Sequence, residues 1–162
     1  MKIYNSYKDK LEDFKTIHKD KLNIYVCGPT VYNYIHIGNA RPVVFFDTVR
    51  RYFESKGKKV TYVSNFTDVD DKLIKKAMEE NVDELSLANK YIDAYLNDLE
   101  SLNCLTDYIK PRVTEYMQHI IDFIQELVNK DYAYEINGDV YFRVEKVKDY
   151  GRLSNRQIKD LK

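Results

Sequence analysis

Apolar positions along this chain fall into short blocks that switch between strand-like runs and helical spacing. Residues 22–26 form an apolar run short enough to be a buried strand. Val43, Val44, Phe45, Phe46, Val49, Tyr52 and Phe53 recur with helical spacing and predict a helix from about residue 39 to residue 56. Pro42 then falls in the first turn, where a missing N–H costs little, and Gly57 ends the helix. Residues 60–66 read as a second strand. Strand, helix and strand in this length predict a βαβ unit with a right-handed crossover.

The rest of the chain is mainly helical in pattern. Residues 1–21 read as two short strands or extended pieces leading into the sheet, with His18 exposed among charged neighbours. A helix starts near Asp70 and runs to about Met78, with Asp68 or Asp70 as its cap. Leu87, Tyr91, Tyr95, Leu96, Leu99 and Leu102 define an amphipathic helix over residues 86–102, its tyrosines packing in the core. Residues 110–112 mark a break. Val113, Tyr116, Met117, Ile120, Ile121, Ile124, Leu127 and Val128 then give the cleanest helical stripe in the chain, with His119 off it on the polar face. Asn137-Gly138 between two apolar runs, 132–136 and 140–144, signals a two-residue hairpin turn. Residues 150–162 are polar and read as a loop and a short helix.

At 162 residues the chain is about one domain in length, and its 44% hydrophobic content can supply a core. No apolar run approaches the about 18 residues of a membrane span, and the N-terminus lacks the apolar region of a signal peptide, so a cytoplasmic location and no membrane partner are expected. Net charge is zero but uneven. Residues 1–60 hold 12 Lys and Arg against 6 Asp and Glu, and residues 61–108 hold 4 against 11. The basic first third suits an anionic ligand without identifying one. Two cysteines, Cys27 and Cys104, make no disulfide framework, and no local cluster supplies four zinc ligands. Cys104, among leucines, reads as a small buried hydrophobe.

Candidate chemistry concentrates between the first strand and the first helix. Ligands in open α/β sheets sit at the carboxyl ends of strands, where this crossover runs. Gly28 and Gly38 allow close backbone approach, and the helix start offers outward N–H groups to an anion. His36 and Asn39 add two side-chain donors, completing a candidate phosphate cradle. Thr67, Asp68, Asp70 and Asp71 follow the second strand and share its carboxyl edge. The aspartates could bind magnesium, cap a helix or pair with a basic residue. Arg50 and Arg51 read as surface charges. Cys27, at the end of the first strand, taken alone reads as a core cysteine or a soft metal ligand.

These blocks resemble a known family. His36-Ile37-Gly38-Asn39 is similar to the HIGH signature of class I aminoacyl-tRNA synthetases. The surrounding string from Cys27-Gly28-Pro29-Thr30-Val31-Tyr32 to Ala40-Arg41-Pro42 resembles the cysteinyl-tRNA synthetase family. So do Asn65-Phe66-Thr67-Asp68-Val69-Asp70-Asp71-Lys72, Pro111-Arg112-Val113-Thr114 and Tyr150-Gly151-Arg152-Leu153-Ser154, in that order.

The resemblance implies an α/β fold. Residues 1–109 would be the N-terminal half of a Rossmann-like catalytic domain, and residues 110–162 part of a connective helix-plus-hairpin insertion. It implies His36 and Asn39 as catalytic donors. Gly28, Pro29, Thr30, His36, Gly38, Asn39 and Thr67 would bind ATP or the adenylate, and Cys27 would be a Zn2+ ligand. ATP with Mg2+, L-cysteine and tRNA(Cys) are the implied partners, and a monomer is expected. The family often has a second histidine where this chain has Asn39. The lysine loop, the other zinc ligands and an anticodon-binding domain are not in this sequence, so the 162 residues are expected to be inactive alone. A cysteine ligase acting on an amino sugar, a non-catalytic synthetase-like binding module, and a general nucleotidyltransferase are the alternatives.

Overall fold

The computed structural model describes residues 1–156. They form four α-helices and six short strands, in two compact units. One unit is Thr16–Tyr116; the other combines Met1–Lys15 with the chain from Met117 onward.

In the Thr16–Tyr116 unit, β3 (Lys21–Val26) and β4 (Lys59–Ser64) pair in parallel, with Lys21 opposite Lys59 and Val26 opposite Ser64. The predicted βαβ unit is present, with α1 (Ile37–Ser55) as its helix. β3 is half-buried rather than fully buried: Leu22 and Val26 are buried while Tyr25 is 66% exposed. On the other side of β4, residues 109–112 run parallel to it. Val63 bridges Ile109 and Phe66 bridges Arg112, through bonds that include Ser64 N–H to the Ile109 carbonyl at 3.0 Å. The break read at Lys110-Pro111-Arg112 is therefore an extended segment bonded to the sheet.

The start of α1 lies two residues earlier than its apolar spacing suggests, because His36 caps it. Pro42 therefore sits inside the helix, not in its first turn, and its missing N–H leaves the Gly38 carbonyl without the usual helical donor. The helix ends as predicted at Gly57, at φ +76°. Gly57 N–H bonds the Glu54 carbonyl at 2.9 Å and Lys58 N–H the Phe53 carbonyl at 3.1 Å, a Schellman closure. Arg50 corrects the surface reading: it is buried and paired with Glu54 at 2.9 Å and Asp107 at 3.0 Å. Its partners outweigh the cost of burial, so its pKa rises, and Asp107 is held below the usual carboxylate range by Arg50.

α2 (Asp71–Glu80) and α3 (Glu84–Ser101) pack on each other. Asp70 caps α2 through Lys72 N–H at 2.8 Å, and Asp83 caps α3 through Ser86 N–H at 2.8 Å. The core gathers Val31, Phe66, Leu73, Ala77, Leu87, Tyr91, Ile92, Tyr95, Leu99 and Cys104. Cys104 and the α3 tyrosines are buried as expected. Tyr95 meets Phe66 edge-on at 5.6 Å, and Tyr91 meets Tyr34 at 5.3 Å.

In the other unit, β1 (Lys2–Asn5) and β2 (Lys10–Asp13) form their own antiparallel hairpin instead of leading into the parallel sheet. α4 (Met117–Asn129) follows a 3-10 turn at Val113–Tyr116, so the single long stripe divides into two helical types. Ile120, Ile121, Phe123 and Ile124 on α4 are exposed. β5 (Ala133–Ile136) and β6 (Asp139–Phe142) close through Asn137 at φ +55° and Gly138 at φ +90°, the mirror-image turn that this dipeptide predicts. Residues 157–162, which complete the predicted terminal loop and short helix, lie outside the described residues.

Candidate active site

β3 and β4 end together at Val26 and Ser64, separate, and rejoin at a Thr30–Thr67 bridge, four residues on from Val26 and three from Ser64. Thr67 N–H bonds the Pro29 carbonyl and Val31 N–H bonds the Thr67 carbonyl, each at 3.1 Å. Cys27-Gly28-Pro29 and Asn65-Phe66 therefore face each other across the gap at the carboxyl edge of the sheet. Gly28 lies so close to the opposite backbone that a Cβ there would fall 1.6 Å from the Asn65 carbonyl oxygen. A side chain at position 28 would have no room.

Asn65 bridges this gap and was not among the predicted site residues. Its Oδ1 accepts from Gly28 N–H at 3.1 Å and from the Tyr25 hydroxyl at 2.9 Å. Its Nδ2 donates to Thr67 Oγ1 at 3.3 Å. Its one signal in the sequence is its place at the end of an apolar strand, two residues before Thr67. Its partners lie up to 40 residues away in sequence, beyond reach of any local pattern.

His36 and Asn39 form a reciprocal capping box at the start of α1. His36 Nδ1 accepts from Gly38 N–H, and Asn39 Oδ1 accepts from His36 N–H, both at 3.1 Å. Asn39 N–H is also committed, to the His36 carbonyl at 2.7 Å. This corrects the expectation that the first backbone amides stand open to an anion. The side chains of His36 and Asn39 enter these bonds as acceptors, and each keeps an N–H donor. With Nδ1 an acceptor, the neutral imidazole carries its proton on Nε2. With Oδ1 engaged as an acceptor, the Asn39 amide keeps its NH2 group as a donor. His36, Gly38 and Asn39 are all exposed.

The downstream blocks tie into the same region. Asp68 is buried and accepts two bonds from Thr114, so it is neither cap nor exposed metal ligand. Lys72 lies over the Tyr32 ring, 5.6 Å from its centroid. Arg112 donates to Asn89 on α3 at 2.7 Å. Three of the four motif blocks therefore meet in one unit. Cys27 is exposed, its Sγ 3.8 Å from the Gly28 carbonyl. Among the described residues no group of three or more His, Cys, Asp or Glu gathers as a metal site, so Cys27 contributes a single soft donor. A cavity of about 780 Å3 is lined by Ile3, Tyr4, Lys8, Phe14 and Leu153 of the other unit, and none of the predicted site residues lines it. Among the described residues no helix is long and apolar enough to cross a membrane.

Comparison with known proteins adds an independent observation. A family model described as the catalytic domain of the class I (C) tRNA synthetases matches residues 13–162. A cysteine–tRNA ligase of Lactococcus lactis subsp. cremoris is 56% identical over 161 residues, covering 99% of this chain and 36% of that protein. One of Bacillus cereus is 57% identical over 160 residues, covering 99% of this chain and 34% of that protein. The chain thus spans about a third of the length of these relatives. A crystal structure of a LeuRS–tRNA–LeuAMS complex from Agrobacterium radiobacter K84 superimposes with TM-score 0.61 over 75% of this chain and 16% of that one, at 18% identity, a likeness of fold alone.

Proposed function

This chain belongs to the family of class I (C) tRNA synthetase catalytic domains, and from that premise we propose that it carries the front of a cysteine–tRNA ligase active site. A protein of its relatives' length would join cysteine to ATP, releasing pyrophosphate, and then pass the cysteinyl group to tRNA(Cys). Residues 1–109 would be the first half of a Rossmann-like domain, and residues 110–162 the start of a connective insertion. The observation that supports the reading is the capping box, which engages His36 Nδ1 and Asn39 Oδ1 as acceptors and so leaves each side chain an N–H to donate, next to the carboxyl edge of a parallel sheet.

The first step needs little from the protein beyond placement and charge stabilisation. Attack of the cysteine carboxylate on the α-phosphate builds negative charge on phosphate oxygens, and fixed donors stabilise it without reorganising. His36 Nε2–H and Asn39 NH2 supply those donors, on the positive end of α1. Asn39 cannot carry charge, so its contribution is a neutral hydrogen bond. Gly38 keeps the helix start bare so that phosphate can approach. Gly28, Pro29, Thr30 and Thr67 form the adjacent wall for the adenylate. Magnesium would accompany ATP.

Cys27 fits a zinc ligand in donor softness and exposure. Three further donors would come from outside the described residues. Zinc in that position would bind the thiol of cysteine far better than the hydroxyl of serine, a distinction that cavity shape cannot make. A cytoplasmic enzyme of protein synthesis follows from the reading.

The test is ATP–pyrophosphate exchange with the full-length protein. Exchange should depend on cysteine and ignore serine, and tRNA(Cys) rather than an amino sugar should accept the product. Cys27→Ser should lower bound zinc and erode the preference for cysteine. Full zinc content with unchanged preference in that variant, or transfer to an amino sugar, overturns the reading.

A further inference from the structure

The hydrogen bonds of Asn65 fix more than the loop. Backbone N–H of Gly28 can only donate, so the Asn65 atom facing it must be oxygen, and the atom facing Thr67 must be nitrogen. Thr67 Oγ1 is thereby an acceptor toward Asn65. Among the described residues its own proton is given to no protein acceptor. The Thr67 backbone is locked on both sides, by the Pro29 carbonyl and the Val31 N–H. The freedom left is the side-chain rotor, and Asn65 holds it. On the same amide oxygen hangs the Gly28 N–H, next to the Cys27 thiol.

We propose that Asn65 is a positioning residue of the amino-acid subsite: it pins the turn beside Cys27 and polarises the Thr67 hydroxyl so that its proton is offered to an acceptor atom of the bound aminoacyl group. The inference rests on the function proposed above. Asn65 itself touches no reacting atom; it acts through Thr67 and through the Gly28 amide.

Asn65→Asp separates the two halves of this role. A carboxylate still accepts from Gly28 N–H and Tyr25 OH, so the turn stays pinned. Its second oxygen now faces Thr67 Oγ1 and draws in the proton that the ligand would have received. In full-length protein, the KM for cysteine in pyrophosphate exchange should rise about tenfold, the loss of about one good hydrogen bond, with kcat changed less than the KM. Bound zinc should stay at the wild-type level. Thr67→Val should raise the same KM similarly, and adding Asn65→Asp to it should cost nothing more.

A general effect of the new negative charge would persist in the Thr67→Val background, and that result overturns the proposal. Tyr25→Phe removes one exposed hydroxyl from Asn65 and guards against a variant that does not fold. It should raise the cysteine KM about threefold with Thr67 present and not at all in Thr67→Val. A wild-type KM in Tyr25→Phe, with Asn65→Asp unfolded or unchanged, also overturns it. Wild-type protein without cysteine-dependent exchange would instead remove the proposed function; exchange in wild type with independent effects of the two substitutions removes only the role of Asn65.

Discussion

The Asp68 carboxylate, only 4% exposed, receives both the backbone N–H of Thr114 at 3.0 Å and its hydroxyl at 2.6 Å. Two motif blocks 46 residues apart are joined by this one clamp. It holds the segment at 109–113 onto β4 just beyond the last sheet bond, Val113 N–H to the Phe66 carbonyl at 3.2 Å. A buried carboxylate is tolerated because both bonds are directed at its charge.

Cutting the clamp should therefore destabilise the fold before it touches chemistry. Asp68→Ala leaves the Thr114 N–H and hydroxyl without their acceptor and should cost about 3 kcal/mol. Thr114→Val removes the hydroxyl bond but keeps the N–H bond and should cost about 1.5 kcal/mol. Denaturant unfolding of both variants and of the double variant measures the coupling. Additive losses would show that the two residues stabilise the fold independently.

The proposed function gives His36 a second task beside its cap, and substitution can separate the two. Alanine removes both the cap and the outward donor, so His36→Ala should lose about 1 kcal/mol of stability together with exchange activity. Asparagine is a strong N-cap, so His36→Asn should keep the stability. Its amide ends short of the imidazole Nε2, and the missing donor should slow exchange by about a hundredfold. Thermal unfolding and exchange rates in full-length protein give the two readouts. Equal exchange rates in His36→Asn and wild type would take His36 out of the chemistry.

The sequence was legible wherever a local rule decides. The βαβ order followed from apolar spacing, the hairpin from Asn137-Gly138, the end of α1 from Gly57, and the burial of Cys104 from its leucine neighbours. It misled where a side chain bonds at a distance. Arg50 looks like a surface charge until Asp107 folds beside it. Asp68 looks like a cap until Thr114 arrives. Asn65 is an ordinary polar residue until β3 and β4 are parallel and Gly28 comes within reach. The start of α1 shifted because Asn39 bonds back to His36, which apolar periodicity does not register. Motif residues were easier to find than the residues that hold them.

A buried tyrosine group sets an alkaline limit. Burial, then the neighbouring Tyr108 and Asp47, pushes Tyr62 up to about 12. Burial also raises Tyr95 and Tyr108. Unfolded tyrosines ionise near about 10. Between these values the folded chain holds protons that the unfolded chain has released, so rising pH favours unfolding. The stabilisation from neutral phenols is complete below about pH 10 and is lost as pH climbs toward the folded values. In an alkaline titration the last tyrosinate absorbance should appear in the same step as loss of helical circular dichroism. Full ionisation with the helices intact would contradict the burial of these rings.

Gly28 and Gly38 should answer alanine in opposite ways, because different things lie against them. At Gly28 the new Cβ meets the Asn65 carbonyl oxygen at 1.6 Å and its carbon at 2.8 Å, both backbone atoms that move only if the strand ends part. Gly28→Ala should lose about 3 kcal/mol and break the Asn65 strap with it. At Gly38 the nearest atom is His36 Nδ1 at 3.3 Å, a side-chain ring atom that need give by only a few tenths of an ångström. Gly38 is also helical, and alanine there gains up to about 1 kcal/mol from helix propensity. Gly38→Ala should therefore be as stable as wild type or more so. If bareness at that position serves an incoming phosphate, the added methyl should still raise the KM for ATP several-fold. Stability from thermal unfolding and the ATP KM from exchange kinetics, measured on the same full-length protein, decide the matter. A Gly38→Ala variant with wild-type ATP KM would assign Gly38 to folding and leave nucleotide contact to His36 and Asn39.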